Sequence, residues 1–130
     1  MRLGTTILCA LLFALIIKLF FFDFIIVDGD SMLPTLNNGK VLIVNRLAYG
    51  FRPFMLSRYL LSWGGVKAGD IVVFWTPRNE LAVKRCGEIF IAGGLTFFSA
   101  LGDNSLESFD SRSYGSVPVD NIIGKVVGID

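Results

Sequence analysis

The feature that most limits what this chain can fold into is a long apolar run near its start. Every residue from Ile7 to Ile17 is apolar, and after Lys18 the run resumes as Leu-Phe-Phe-Phe. Counted from Leu3, the run has about 20 residues, roughly the length that a helix needs to cross the hydrocarbon core of a bilayer. Lys18 stands near one end, where its long side chain can reach the lipid headgroups. The pattern predicts an N-terminal transmembrane helix.

A cleaved signal peptide is the alternative interpretation of this run, because Arg2 and residues 7–17 are arranged like the charged and apolar regions of such a peptide. Cleavage requires small residues after the apolar region, whereas Lys18 and a run of phenylalanines follow here. We therefore predict that residues 1–23 form an uncleaved membrane anchor. The positive charges before the run weakly favour a single pass with a cytoplasmic N-terminus, which leaves residues 24–130 on the other side.

Residues 24–130 have room for one small domain, and their pattern is that of a β-sheet. Short runs rich in β-branched and aromatic residues recur, and turn residues such as those at 37–39 and 93–94 separate them. The predicted fold class is mainly β: a small antiparallel β domain with a partial barrel follows the N-terminal helix. The predicted strands are Phe24–Val27, Lys40–Asn45, Asp70–Trp75, Leu81–Lys84, Glu88–Ala92 and Ile122–Ile129.

The stretch from Phe51 to Trp63 departs from the strand pattern, because it combines large apolar and aromatic side chains with two arginines. One interpretation is a loop or short helix that covers the core. The other is a surface that dips into the bilayer interface, where aromatic rings and Arg side chains are stable. That surface would consist of Phe51, Phe54, Leu56, Tyr59, Leu60 and Trp63.

Composition narrows the chemistry that the chain can perform. The chain has no histidine, and its two cysteines, Cys9 and Cys86, lie in the apolar run and in the β-rich part, so we predict no disulfide, no metal site and no cofactor. The net charge is +1 with dispersed Lys and Arg, so nothing in the composition indicates a nucleic-acid surface. Without histidine, a serine nucleophile cannot use a Ser-His-Asp relay, and lysine is the other side chain able to accept its proton.

Four ordered blocks of sequence resemble those of type I signal peptidase (leader peptidase), a family of serine endopeptidases. Residues 29–36 read Gly-Asp-Ser-Met-Leu-Pro-Thr-Leu and resemble the nucleophile motif of that family. Residues 68–74 resemble the strand between its two catalytic motifs, and residues 82–85 resemble the segment that carries its lysine base. Residues 102–118 resemble its closing motif. The blocks together cover most of the predicted domain.

The resemblance implies a catalytic dyad of Ser31 as nucleophile and Lys84 as general base. Burial would have to lower the pKa of Lys84, because an ordinary lysine is protonated at neutral pH. The oxyanion would be held by the backbone N–H of Ser31, with that of Gly29 or a water as second donor, because position 29 has no hydroxyl. Gly29 could equally serve only a tight turn. Ser108 would contact the lysine amine and orient it.

Two further groups of residues follow from the same resemblance. The first would line shallow pockets for small side chains at positions −1 and −3 of a signal peptide, or belong to the core: Met32, Leu36 and Val83. The second would form structural ion pairs around the site: Arg85, Asp103, Asp110 and Arg112. The chain departs from the family after Arg85, where the usual Gly-Leu-Pro-Gly-Asp turn and insertion are missing. Any substrate or partner contact made by that insertion is therefore in doubt here.

The resemblance implies a membrane-bound endopeptidase that removes signal peptides from exported preproteins at the bacterial inner membrane. Its partners would be preprotein signal peptides and the lipid bilayer, with the secretion translocon as a further candidate and no nucleic acid. A specialised maturation peptidase for one secreted or conjugation substrate is the alternative. An inactive membrane-anchored domain that binds preproteins is disfavoured, because both Ser31 and Lys84 are present.

Overall fold

The computed structural model describes residues 2–51 and 59–129, in which an N-terminal helix is followed by an antiparallel sheet. One residue, Phe21, joins the helix to the first strand. The elements in chain order are α1 Leu3–Phe20, β1 Phe22–Ile26, β2 Val41–Asn45, β3 Gly50–Phe51, β4 Leu61–Ser62, β5 Ile71–Trp75, β6 Leu81–Ala92, β7 Leu95–Leu101, α2 Ser111–Tyr114, β8 Val117–Pro118, a 3-10 helix Val119–Asn121 and β9 Ile122–Ile129.

The main sheet has seven strands in the order β1-β2-β9-β5-β6-β7-β8, while β3 and β4 pair with each other. The neighbouring strands run antiparallel. Register shifts in the β2–β9, β5–β9 and β6–β7 pairs add local bending. The predicted mainly β class, with an antiparallel half-barrel sheet, is therefore confirmed.

Two hydrophobic clusters lie on opposite faces of the sheet, and strand β5 contributes to both. Because successive strand residues point to opposite faces, Val72 and Phe74 belong to the first cluster whereas Ile71 packs against the second. The first cluster consists of Tyr49, Val66, Val72, Phe74, Cys86, Phe98, Ala100, Val117 and Ile122. The second consists of Val27, Met32, Leu36 and Leu42. Met32 and Leu36 of the second cluster therefore anchor the segment that carries the predicted nucleophile.

Helix α1 occupies the predicted N-terminal position, and its apolar side chains from Leu3 to Ile16 are exposed. Within residues 2–51 and 59–129, no helix has the length and apolar character that a membrane crossing requires. The predicted transmembrane helix is therefore not supported.

Strand β6 differs from the prediction, which has two strands here, Leu81–Lys84 and Glu88–Ala92, separated by residues 85–87. The strand is continuous from Leu81 to Ala92, and the pairing with β7 shifts register between Cys86 and Ile89. A Cβ at Gly87 would lie 2.9 Å from Cδ1 of Leu101, so glycine permits the close approach of the two strands at this irregularity. Gly87 marks a bulge within one strand and not its end.

Strand β7 is absent from the predicted set, although the turn that precedes it was recognised. Gly93 and Gly94 both have positive φ angles, 59° and 79°, as a two-residue type I′ hairpin turn requires. Such a turn returns the chain as an antiparallel partner, and Leu95–Leu101 pairs with β6 in this way. The glycine pair after β6 is therefore a sequence signal from which the returning strand β7 could have been predicted.

The stretch predicted as either core cover or membrane surface is described only at its ends, since residues 52–58 lie outside the described residues. Leu60 and Trp63 are exposed. Tyr59 packs against the first cluster, and its hydroxyl donates to the carbonyl oxygen of Ile122 at 2.8 Å. The described ends therefore divide between surface and core, and membrane contact of this stretch stays a prediction.

Candidate active site

Ser31 and Lys84 come from different parts of the chain and meet beside the sheet. Ser31 lies in a series of turns between β1 and β2, and Lys84 lies on β6. The Nζ atom of Lys84 is 2.6 Å from Oγ of Ser31, which is hydrogen-bonding distance. No water or intervening side chain is needed for a proton to pass between these two atoms. The arrangement can therefore activate a serine hydroxyl directly.

Lys84 is held in a largely dehydrated position, with 7% of its surface exposed. It points to the same face of β6 as Ala82 and Cys86, of which Cys86 belongs to the first cluster and Ala82 packs against it. Burial lowers the pKa of Lys84, because the ammonium form loses hydration. The charge of Asp110 acts against this shift and that of Arg112 adds to it. The amine is therefore neutral more often at a given pH than an ordinary lysine.

Ser108 makes a different contact from the predicted one. Its hydroxyl donates to Oδ2 of Asp110 at 2.8 Å, and across the described parts of the chain no hydrogen bond joins it to Lys84. Asp110 is fully buried, and a buried carboxylate is stable only when donors surround it. The backbone N–H of Gly102 donates to the same oxygen at 2.7 Å. Ser108 thus reaches the dyad through Asp110 and not directly.

The pKa of Asp110 reflects two opposing influences. Burial alone would raise it, but hydrogen bonds from Arg112, Gly102 and Ser108 outweigh burial and hold it well below its usual range. Arg112 contributes through Nε, at 2.9 Å from Oδ1, and through a contact of Nη2 with Oδ2. Asp110 therefore stays ionised close to Lys84, with its charge partly balanced by Arg112.

Arg85 and Asp103 form the second of the two ion pairs predicted near the site. Nε and Nη2 of Arg85 each donate to one carboxylate oxygen of Asp103 at 2.8 Å, the bidentate geometry that gives such pairs their directional strength. The hydroxyl of Thr35 donates to the same carboxylate. Asp103 therefore ties the strand that carries Lys84 to the loop that carries Ser31.

The segment Gly102–Asn104 runs directly against the backbone of Ser31. A Cβ at Gly102 would lie 1.9 Å from Oγ of Ser108 and 2.7 Å from the carbonyl oxygen of Ser31, so only glycine fits. The backbone N–H of Asn104 donates to that carbonyl oxygen at 2.8 Å, and its Nδ2 donates to the carbonyl oxygen of Asp30 at 3.0 Å. Sequence reasoning assigned no role to Gly102 or Asn104. The preference of loop Asn side chains for backbone partners was the available signal.

The backbone N–H of Gly29, predicted as a possible oxyanion donor, is already in use. It donates to Oδ1 of Asn38 at 3.0 Å, and the φ angle of Gly29 is +95°, a conformation that favours glycine. These contacts support the tight-turn reading of Gly29. By contrast, the N–H of Ser31 donates to no acceptor within the described ranges. The N–H of Ser31 is therefore an available donor beside its own hydroxyl.

A cleft of about 410 Å³ opens beside the dyad, with residues 25–31 on one side and 80–84 on the other. Met32 and Val83 line it, as predicted, whereas Leu36 does not line it and lies fully buried in the second cluster. Sequence reasoning missed four further lining residues, Thr76, Glu107, Phe109 and Tyr114. Within the described chain, no three His, Cys, Asp or Glu side chains are grouped as metal ligands.

Two strand edges facing this cleft have no partner strand among the described residues. Strand β1 pairs with β2 alone, at one end of the sheet order. Residues 81–84 of β6 pair with β5 on one side, and β7 joins the other side from Arg85 onward. The cleft can therefore accept an extended peptide as an additional strand.

Comparison with known proteins agrees with these features. The family described as "Signal peptidase, peptidase S26" matches residues 1–89 and 94–129. Signal peptidase I of Bacillus caldolyticus is 28% identical, over 85% of this chain and 80% of its own length. Signal peptidase I of Leptolyngbya laminosa is 29% identical, over 94% and 75%. The mitochondrial ATP-independent inner membrane protease subunit 1a of Arabidopsis thaliana is 30% identical, over 78% and 66%.

The family match is interrupted at residues 90–93, which are the last three residues of β6 and the first residue of the turn to β7. The alignment with the Bacillus protein extends over 159 positions, which exceeds the 130 residues of this chain, so the relative has residues without a counterpart here. The matched ranges include the loop of Ser31, the strand of Lys84 and the Gly102–Asn104 segment. With nearly the whole chain matched around this site, the chain belongs to the signal peptidase family, peptidase S26, and is a serine endopeptidase.

Proposed function

We propose that this protein removes signal peptides from preproteins with Ser31 as nucleophile and Lys84 as general base. The observation that carries the proposal is the 2.6 Å separation between Lys84 Nζ and Ser31 Oγ. Family membership supports the substrate class. Burial of the amine supports its role as a base, because an unprotonated amine is required to accept the hydroxyl proton.

In the proposed reaction, Lys84 takes the proton of Ser31 while Oγ bonds to the scissile carbonyl carbon. The carbonyl oxygen becomes negatively charged and accepts a hydrogen bond from the free N–H of Ser31. When the C–N bond breaks, the leaving amine takes the proton from Lys84, and the signal peptide stays esterified to Ser31. Lys84 then deprotonates a water that attacks this ester, and the proton returns to Ser31 Oγ.

The substrate would lie in the cleft as an extended strand between the two free edges. In an extended peptide, the side chains at −1 and −3 point to the same face. Met32 and Val83 line the cleft next to the dyad and would contact these side chains. Backbone hydrogen bonds to the edges are the same for every sequence, so selectivity would rest on these two positions.

We expect substrates with Ala, Val and Phe at −1 to be cleaved with decreasing kcat/KM. Overfilling a packed apolar pocket costs about 1–3 kcal/mol, which corresponds to about 5- to 150-fold in kcat/KM. A matched series varied at −2, where the side chain points to the other face, should change kcat/KM far less. Equal cleavage of the Ala and Phe peptides would count against small pockets, and would favour a specialised maturation peptidase.

Activity should rise with pH until Lys84 is neutral, and Arg112→Gln should move this rise to higher pH. The positive charge of Arg112 lowers the pKa of Lys84, so removing this charge raises the pKa. The substitution also leaves the negative charge of Asp110 without its ion-pair partner, and that charge raises the pKa of Lys84 further. The pH profile of kcat measures the shift. Lys40→Gln, which removes an exposed charge that does not act on Lys84, is the control. An Arg112→Gln profile that coincides with the control would contradict the assignment of Lys84 as base.

We further propose that α1 attaches the protein to a membrane. Its exposed side chains include Leu11 at 63% and Phe13 at 66%, and a helix that is apolar all round is stable only in apolar surroundings. Liposome flotation tests this attachment: Leu11→Lys combined with Leu15→Lys should release the protein from vesicles, with Lys40→Gln as control. Flotation unchanged by both substitutions would refute it. Single-pass topology and a bacterial inner-membrane location stay predictions.

A dedicated maturation peptidase is the second candidate, because the alignment with the Bacillus relative includes residues that have no counterpart in this chain. Incubation of the purified protein with a panel of unrelated preproteins separates the two. Cleavage of most of them at their signal-peptide junctions supports the general function, and cleavage of one alone supports the dedicated function. The Ser31–Lys84 contact argues against an inactive binding domain.

A further inference from the structure

We propose that Asn104 is a positioning residue that sets the direction in which the N–H of Ser31 points, and thereby pre-forms the oxyanion site. The inference rests on the proposed function, because it takes Ser31 as the nucleophile. Asn104 touches neither the hydroxyl of Ser31 nor the amine of Lys84 by any described hydrogen bond, and it acts through the backbone.

Asn104 binds two consecutive carbonyl groups of the nucleophile loop. Its side-chain Nδ2 donates to the carbonyl oxygen of Asp30 at 3.0 Å, and its backbone N–H donates to the carbonyl oxygen of Ser31 at 2.8 Å. The acceptor in the first contact is a carbonyl, so the amide must present its nitrogen and not its oxygen. One residue therefore holds the peptide groups on both sides of the Ser31 Cα.

The planarity of the peptide group connects this contact to the oxyanion site. The carbonyl of Asp30 and the N–H of Ser31 belong to one planar trans peptide, in which they point in opposite directions. Fixing the Asp30 oxygen therefore fixes the direction of the Ser31 N–H. That N–H donates to no acceptor in residues 2–51 or 59–129, so it is available to a developing oxyanion. A donor that is already aimed needs no reorganisation during the reaction.

A second hydrogen bond also orients the peptide group between Asp30 and Ser31. The backbone N–H of Leu33 also donates to the Asp30 oxygen, at the longer distance of 3.2 Å. Loss of the Asn104 side chain would therefore loosen the peptide without releasing it. We expect kcat to fall by about 10- to 50-fold, which is less than the roughly 100- to 1,000-fold that removal of an oxyanion donor costs.

Contacts outside the Asn104 side chain anchor its segment. Asp103 binds Arg85 and Thr35, and the backbone carbonyl of Asn104 accepts the N–H of Glu107 at 3.1 Å. The backbone bond from Asn104 to Ser31 also survives any substitution except proline. A variant at this position can therefore lose the side-chain contact while the segment stays in place.

The test compares Asn104→Ala and Asn104→Asp with Asn121→Ala in the full chain. Asn121 is the matched control, since its Nδ2 also donates to a backbone carbonyl at 3.0 Å, that of Trp75. For each variant, kcat, KM, the melting temperature and the inhibition constant of a substrate-like peptide boronic acid are measured. The boronate forms a tetrahedral anion on a serine and so reports on oxyanion binding. Ser31→Ala is included to test the nucleophile itself.

We expect both Asn104 variants to lower kcat by the stated factor, with KM within about 2-fold of the wild type, because the contact acts on the transition state. Boronate affinity should fall by a factor similar to that in kcat/KM. The acid limb of the pH profile should stay in place in Asn104→Ala, because no charge changes. Asn121→Ala should behave as the wild type in all four measurements.

Three results would overturn the inference: wild-type kcat in a folded Asn104 variant, a loss of kcat with unchanged boronate affinity, or unfolding of both variants at the assay temperature, which would assign Asn104 a structural role. The proposed function fails separately. Cleavage by Ser31→Ala would refute the nucleophile whatever the Asn104 variants do, whereas a Ser31-dependent enzyme that is insensitive to Asn104 would refute this inference alone.

Discussion

Lys84→Met and Ser31→Ala should each abolish signal-peptide cleavage in a protein that remains folded. Removing either member of a nucleophile–base pair in a serine protease lowers kcat by about 10⁴- to 10⁶-fold, and we expect a loss in that range. Methionine fills a similar volume to lysine but cannot accept a proton. Because it also removes a buried amine, Lys84→Met should not lower the melting temperature. Single-turnover cleavage of a preprotein, with the melting temperature measured in parallel, gives both quantities.

The double variant Ser31→Ala with Lys84→Met should be no less active than either single variant, because the two side chains act as a unit. Lys40→Met serves as the control for loss of a lysine elsewhere. A folded Lys84→Met protein that retained even a tenth of the wild-type kcat would rule out Lys84 as the base and leave the 2.6 Å contact without a catalytic role.

Gly102→Ala should nearly eliminate activity and also destabilise the protein. The added methyl group would lie 1.9 Å from Oγ of Ser108 and 2.7 Å from the carbonyl oxygen of Ser31, so both neighbours must move. Overpacking of this kind costs about 1–3 kcal/mol of unfolding free energy. Displacing a nucleophile by about 1 Å can cost about 100-fold in rate, so kcat should fall at least that far.

Gly65→Ala is the control for this substitution, because a Cβ there meets no atom within 4 Å. Adding Ser108→Gly to Gly102→Ala removes one of the two close contacts. We expect the double variant to recover part of the melting temperature but little activity, because the contact with the Ser31 backbone remains. If Gly102→Ala were as active as Gly65→Ala, the Gly102–Asn104 segment would not position the nucleophile.

The elements that the sequence predicted well are those in which local pattern and tertiary structure agree. β2 and β5 have dense β-branched runs that follow clear turn residues, and they differ from the predicted strands by one residue at the start. β6 was divided because glycine is a strand breaker by local preference. Its pairing with β7 carries the chain across Gly87, and that pairing is a property of two distant segments.

The candidate site follows the same division. The reactive residue types, Ser31 and Lys84, could be proposed from a motif and from the absence of histidine. The partners of Ser108 and Gly29 could not, because they depend on where Asp110 and Asn38 come to lie. For Leu36 the sequence allows either a pocket wall or a core position, because side-chain directions in consecutive turns follow no regular period, and the structure places it in the core.

The short link between α1 and β1 limits the distance between the end of the helix and the cleft. With α1 attached to a membrane, as proposed, only Phe21 separates the membrane-bound helix from the strand that borders the cleft. The five residues of β1 rise by about 3.3 Å each, so the cleft begins within about 17 Å of the helix end. The cleft would then lie at a fixed distance from the membrane. A preprotein bond would be cut when it lies at that same distance from the end of the apolar helix of the preprotein. Lengthening this link should move the cut site along the substrate without altering the chemistry.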